Sequence, residues 1–139
     1  MTVRRLAQIL GATLLLMTIN VAVSVLWVAF YAYVIEPGHE SAFYEAYAQI
    51  AAPYSSIIAG MPLVYLFGRW VGRWGQREAP MRNAMNLWAL YAGIDLAILG
   101  AAGAIGRLAP FVAVSIATKG VAAYLAGRAE QAAGARTPA

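Results

Sequence analysis

Four long apolar runs, separated by charged residues, proline and glycine, constrain the fold of this chain more than any other feature. They occupy residues 6 to 35, 46 to 68, 84 to 106 and 108 to 127. A helix of about 20 apolar residues crosses the hydrocarbon core of a bilayer, so each run is long enough to span a membrane. The sequence therefore predicts an all-α integral membrane four-helix bundle, in which residues 1 to 139 form a single transmembrane domain.

The composition agrees with that prediction and excludes several classes of function. Hydrophobic residues make up 62% of the chain and charged residues 12%, against roughly 25% charged in a typical soluble domain. The net charge of +4 comes from arginines beside apolar runs, so nucleic acid is not an expected partner. With no cysteine, the chain has no disulfide, thiolate metal site or cysteine nucleophile.

The start of the chain resembles a signal peptide, because two arginines precede an apolar stretch. That stretch continues to about Ile35, far beyond the ~7 to 15 apolar residues of a signal peptide. We therefore expect an uncleaved first membrane span.

The distribution of basic residues predicts the orientation. The positive-inside rule places loops rich in Lys and Arg in the cytoplasm. Arg107 would lie on the outer side and Lys119 within the membrane. Eight of the ten basic residues fall on the remaining side: Arg4, Arg5, Arg69, Arg73, Arg77, Arg82, Arg128 and Arg136. Both termini are therefore expected in the cytoplasm, and the chain is expected to be a multi-pass protein of the cell inner membrane.

Asp95 and Lys119 each lie near the middle of an apolar run. A charged side chain at the centre of a bilayer costs about 2.5 to 3.5 kcal/mol on insertion scales, so it normally faces the protein interior or a wet path. The short connection between the third and fourth runs makes those helices antiparallel neighbours. We expect the two charges to meet, either as a structural ion pair or as part of a path for a proton or solute.

Polar residues recur along one face of the first helix at spacings of three and four. Such a face predicts hydrogen bonds between membrane helices. A more specific hypothesis joins it to the third and fourth helices in one intramembrane polar cluster. That cluster would contain Asn20, Ser24, Trp88, Tyr91, Asp95, Ser115, Thr118 and Lys119.

The predicted outer loop is acidic and carries Glu36, His39, Glu40 and Glu45. These groups could bind a divalent cation or respond to external pH. Their spacing matches no metal-ligand signature, so a solvated acidic loop is the better interpretation and no metal site is assigned.

Two further patterns concern partners. Arg69, Arg73 and Arg77 recur every four residues, which predicts a basic face towards anionic lipid headgroups. Gly100, Gly103 and Gly106 form a stripe that predicts close packing of the third helix, either within the chain or in a homo-oligomer.

No motif identifies a reaction: the sequence has no Ser/His/Asp set and no glycine-rich phosphate loop, so we expect no enzyme and no cofactor. The first functional hypothesis is transport or permeation of a small solute or ion through the polar cluster. The alternative is a non-catalytic membrane scaffold or accessory subunit with a structural ion pair. A cavity reaching Asp95 would favour transport, and a closed, dry cluster would favour the scaffold.

Overall fold

The computed structural model describes residues 3–74 and 79–135, and this part of the chain contains four α-helices and no strand. Helix α1 is Val3–Phe30, and a π-helical turn, Tyr31–Ile35, extends it. Helix α2 is Ser41–Gly72, α3 is Pro80–Ala101 and α4 is Ile105–Ala135. All four are long and apolar enough to cross a membrane, which confirms the predicted all-α class and the four predicted apolar helices.

The helices run antiparallel in chain order. At the loop end of the bundle, which carries the 36–40 connection and the 102–104 turn, Trp27 of α1 hydrogen-bonds Tyr47 of α2. At the opposite, terminal end, Arg5 of α1 donates a hydrogen bond to the carbonyl of Trp74. Helices α2 and α3 each pack against every other helix, whereas α1 and α4 barely touch. The interior therefore lies around the α2–α3 pair.

The bundle has an apolar outside and a partly polar inside. Side chains such as Leu26, Ile58 and Leu66 are more than half exposed. The buried polar or charged residues of the described chain are Thr13, Asn20, Asn83, Ser115, Lys119 and Glu130. Contiguous exposed apolar surface of this kind is rare on soluble proteins and is expected where lipid covers the helices.

The terminal half is closely packed because small residues let α2, α3 and α4 approach each other. A Cβ atom added to Gly127 of α4 would lie 2.8 Å from the Cα of Met81 on α3. One added to Gly68 of α2 would lie 2.9 Å from the Cβ of Ala126 on α4. Asn83 of α3 adds hydrogen bonds to the carbonyls of Val71 and Trp74. The three helices are thus held together at this end.

The predicted glycine stripe on the third run does not pack closely against another helix of the same chain. A Cβ at Gly106 would meet nothing within 4 Å, and one at Gly100 would meet only Ile105 at 3.4 Å. Gly103 has a φ of 64° and forms the turn between α3 and α4. The third run therefore contains a helix end, a turn and the start of the next helix, and Gly103 supplies the positive φ of the turn.

The helix boundaries also differ from the predicted runs, most of all at the start of α2 and the end of α4. Helix α2 begins at Ser41, five residues before the predicted 46, and continues through Pro53 and Pro62. Helix α4 continues to Ala135, beyond the predicted end at 127. Buried contacts explain this extension, because Glu130 pairs with arginines of α2.

Candidate functional site

Lys119 lies in the centre of the bundle and is 1% exposed. Its Nζ donates hydrogen bonds to Ser115 Oγ at 2.8 Å, Tyr91 Oη at 3.0 Å and Ser56 Oγ at 3.1 Å. The Tyr91 ring centroid is also 4.4 Å from Nζ. A buried ammonium group needs such partners, because each of its three N–H donors would otherwise be left unsatisfied.

Asn20 of α1 completes this arrangement. Its Nδ2 donates to Tyr91 Oη at 3.0 Å and to Ser56 Oγ at 3.1 Å. Asn20 and Lys119 therefore share two hydroxyl acceptors. We call this group, to which all four helices contribute, the lysine cage: Asn20, Ser56, Tyr91, Ser115 and Lys119.

Gly60 gives the lysine side chain its space. A Cβ atom at Gly60 would lie 2.4 Å from Lys119 Cε and 3.2 Å from Nζ. Gly60 is itself buried and lies one helical turn from Ser56 on α2. The same face of α2 therefore supplies both a hydrogen-bond acceptor and the room for the stem of the lysine.

The expected direct contact between Asp95 and Lys119 is not formed. Among the described residues, the salt bridges involve Glu36 and Glu130, and Asp95 has neither a salt bridge nor a side-chain hydrogen bond. The contact was expected because both charges lie near the middle of neighbouring antiparallel helices. Tyr91, one turn nearer the terminal end on α3, instead lies at the depth of Lys119 and accepts its hydrogen bond.

Two cavities extend from the loop end towards the cage. Cavity 1, of about 830 Å³, lies between α1, α2 and α3, and extends from His39 in the loop to Asn20 and Tyr91. Cavity 2, of about 690 Å³, lies between α2, α3 and α4, and extends from Arg107 to Ser115. Asp95 and Ser56 line both cavities. The Asp95 carboxylate is partly exposed and lies where the two cavities come together.

Apolar packing closes the bundle on the other side of the cage. Leu16 of α1, Val64 of α2 and Leu87 of α3 are completely buried there, in one core cluster with Ala123 of α4. The cavities therefore lie on the loop side of the cage, and the terminal side is packed.

The remaining predicted members of the polar cluster lie around the cage rather than in it. Ser24 hydrogen-bonds Ser55 at 2.7 Å and also lines cavity 1. Trp88 Nε1 donates to the carbonyl of Ile116 at 3.0 Å and joins α3 to α4. Thr118 bonds to carbonyls of its own helix.

Sequence reasoning missed three residues of this region: Ser55, Ser56 and Gly60. The signal was present, because two adjacent serines interrupt the second apolar run and a glycine follows one turn later. It was overlooked because hydroxyls and glycines are common in membrane helices.

The acidic loop forms a local network. His39 Nε2 lies 3.1 Å from Glu36 Oε2, and Tyr44 Oη donates to the Glu36 carbonyl at 2.6 Å. Glu40 and Glu45 are exposed. In residues 3–74 and 79–135, no three His, Cys, Asp or Glu side chains are grouped so that they could hold a metal ion.

The basic face of α2 is partly used within the chain. Arg69 Nε lies 2.6 Å from Glu130 Oε1, and Arg73 Nε lies 3.2 Å from Glu130 Oε2. Glu130 is 8% exposed, whereas the Arg73 side chain is 62% exposed. Arg77 lies outside the described residues. One carboxylate therefore offsets part of the charge that was expected to face lipid.

The site as a whole offers three chemical features: an ammonium held by hydroxyls, a partly exposed carboxylate one helical turn from Tyr91 on α3, and two cavities that reach the carboxylate. These features suit the binding of a small charged or polar group beside apolar surface. No family model, curated protein or solved structure matched this chain, so no family is assigned.

Proposed function

We propose that this protein transports or permeates a small solute or ion across the cell inner membrane, with Asp95 at the binding point. The observation that carries the proposal is that two cavities from the loop end meet at Asp95, beside the lysine cage. An ionisable residue at membrane depth that is accessible and lacks a direct partner is the usual mark of a solute or ion path.

The packing on the two sides of the cage supports an arrangement open on one side. The loop half contains the cavities, and the terminal half is closed by apolar side chains and close glycine contacts. Passage of a solute through the bundle would require the helices to move apart in the terminal half. This movement would break contacts that include the Glu130 salt bridges with Arg69 and Arg73.

A non-catalytic scaffold or accessory subunit is the second candidate. It is favoured by the lysine cage itself, because three hydroxyl acceptors satisfy the ammonium without any solute. In that case the polar cluster would fix the helix register, and the cavities would be filled by lipid or by a partner helix.

Flux measurements on the purified protein distinguish the two candidates. In liposomes under a pH or potential gradient, the wild-type protein should exchange or conduct a small ion or solute, and Asp95→Asn should abolish that flux. Asn keeps the shape of the side chain and removes its charge. Glu45→Gln, which neutralises an exposed carboxylate that lines neither cavity, should retain the flux. Equal flux in Asp95→Asn would contradict the role of Asp95 as the binding point, and no wild-type flux over a broad solute panel would favour the scaffold.

The proposed orientation, with both termini in the cytoplasm, predicts a labelling pattern. The chain contains no cysteine, so single cysteines can be introduced at Ala42 and at Gln76. An impermeant thiol reagent added to intact cells should label the cysteine at 42 and not the one at 76. The reverse pattern would invert the orientation.

The proposed partners are the bilayer itself, anionic headgroups near Arg69, Arg73 and Arg77, and a second copy of the chain. The exposed fraction of Arg73 supports the headgroup contact, although Glu130 offsets part of the charge. Self-association is proposed because four helices enclose little space for a path through the packed terminal half.

A further inference from the structure

We propose that cavity 1 binds a monovalent organic cation with an apolar body, whose charged centre lies at the Asp95 carboxylate. This inference rests on the proposed function, since it names the class of solute for the same site. It depends on the charge, the lining and the mouth of the cavity.

The charge of cavity 1 favours a cation. Among the described residues that line it, Asp95 is the one Asp, Glu, Lys or Arg side chain. The nearby Lys119 ammonium does not line the cavity, and its N–H groups are directed to three hydroxyls. A cation is therefore the ligand that would give the partly exposed carboxylate a direct partner in a low-dielectric surrounding.

Cavity 2 is less suited to the same ligand. It shares Asp95 and Ser56 with cavity 1, but it also contains Arg107 near the loop end. A guanidinium group on the approach path repels a cation. Cavity 1 is thus the more favourable of the two binding spaces.

The walls of cavity 1 favour an apolar body around the charge. Most of the lining is aliphatic, with Tyr33 and Tyr44 towards the mouth and Tyr91 at the inner end. Aromatic faces attract organic cations, and aliphatic walls favour the release of water from an apolar ligand. The volume of about 830 Å³ lies in the range of roughly 300 to 1,000 Å³ that is typical of small-molecule sites.

The mouth of cavity 1 adds a field that attracts cations. His39 lines the mouth, and the Glu36 carboxylate contacts the His39 ring. Residues 36 to 45 contain three glutamates and no Lys or Arg. A loop with one sign of charge raises the local concentration of the opposite ion at the approach to a cleft.

Binding of two ions of matched size and opposite charge tests the proposal. Tetraphenylphosphonium and tetraphenylborate are titrated onto the purified full chain in neutral detergent, by calorimetry or equilibrium dialysis. Wild-type protein should bind the phosphonium saturably and more tightly than the borate. Asp95→Asn should weaken phosphonium binding about tenfold or more, because the charge interaction is lost. A smaller loss, or preferred binding of the borate, overturns the proposal.

Two variants, each of which places a larger side chain in one of the cavities, locate the ligand. Ala29 lines only cavity 1 and Leu99 lines only cavity 2. Ala29→Phe should weaken phosphonium binding, whereas Leu99→Phe should leave it within about twofold of the wild-type value. The opposite pattern overturns the assignment to cavity 1. Thermal unfolding of each variant verifies that it remains folded.

The outcomes also separate this inference from transport. Saturable, Asp95-dependent phosphonium binding without any flux in liposomes supports the cation site and contradicts transport. Flux of inorganic ions that depends on Asp95, with no phosphonium binding, supports transport and contradicts the organic cation as solute.

Discussion

Replacing Gly127 by alanine is expected to lower the free energy of unfolding by about 1 to 3 kcal/mol, and replacing it by leucine by more. The new Cβ atom would lie 2.8 Å from the Cα of Met81 and 2.9 Å from its Sδ. The sulfur is the end of a flexible side chain and can move. The Cα belongs to helix α3, so relief requires α3 and α4 to separate where they are most closely packed.

Gly93→Ala is the matched control. Gly93 lies inside α3, and a Cβ atom there would meet nothing within 4 Å. Alanine is favoured over glycine within a helix by about 1 kcal/mol, so this variant should be neutral or more stable. Unfolding by increasing SDS in mixed micelles, followed by circular dichroism, measures both changes. Equal stability of the two alanine variants would mean that α3 and α4 are further apart in the membrane than in this structure.

The four helices were predictable because each is encoded by a long run of apolar residues and such runs occur four times. Each run exceeds the length that a bilayer needs, and the exposed apolar surface of the bundle agrees with that composition. The ends of the helices were less predictable. Gly103 and Gly106 lie in the third run, and glycine occurs both in turns and in packed helix faces, so sequence alone did not decide between these roles.

Tertiary contacts determined the length of the last helix. The sequence after Arg128 is rich in alanine and glycine, and its hydropathy does not demand a membrane span. Glu130 nevertheless lies against Gly72 and pairs with arginines on a different helix. Because such a contact joins residues about 60 positions apart, periodicity within the segment could not indicate it.

The sequence indicated which helix faces point inwards but not which polar groups bind each other. Four residues of the predicted cluster, Asn20, Tyr91, Ser115 and Lys119, come together in the lysine cage. The choice of a partner for Lys119 depended on a difference of one helical turn between Tyr91 and Asp95. Helix tilt and side-chain reach change relative depth by that amount, so composition and spacing left the choice open.

Lys119→Ala is expected to lower the free energy of unfolding by about 2 to 5 kcal/mol, like other large-to-small changes in a packed interior. The stem of the lysine fills the space beside Gly60, and its ammonium is the common donor to Ser56, Tyr91 and Ser115. Its removal leaves a cavity and takes away the donor to Ser115 Oγ, while Tyr91 and Ser56 keep their hydrogen bonds from Asn20. SDS unfolding measures the loss, and Thr118→Ala, a change at a partly exposed position on the same helix, is the control. Equal losses in the two variants would contradict a central role for the cage.

Double-mutant cycles with Lys119→Met then identify the partner of the ammonium group, because Met keeps much of the side-chain volume. With Tyr91→Phe, which removes the acceptor at 3.0 Å, the coupling energy should be about 1 to 3 kcal/mol. With Asp95→Asn it should be smaller, since no direct contact joins the two charges. The reverse order would mean that Asp95 pairs with Lys119 in the membrane. Its charge would then be occupied within the chain, and the scaffold would become the better functional hypothesis.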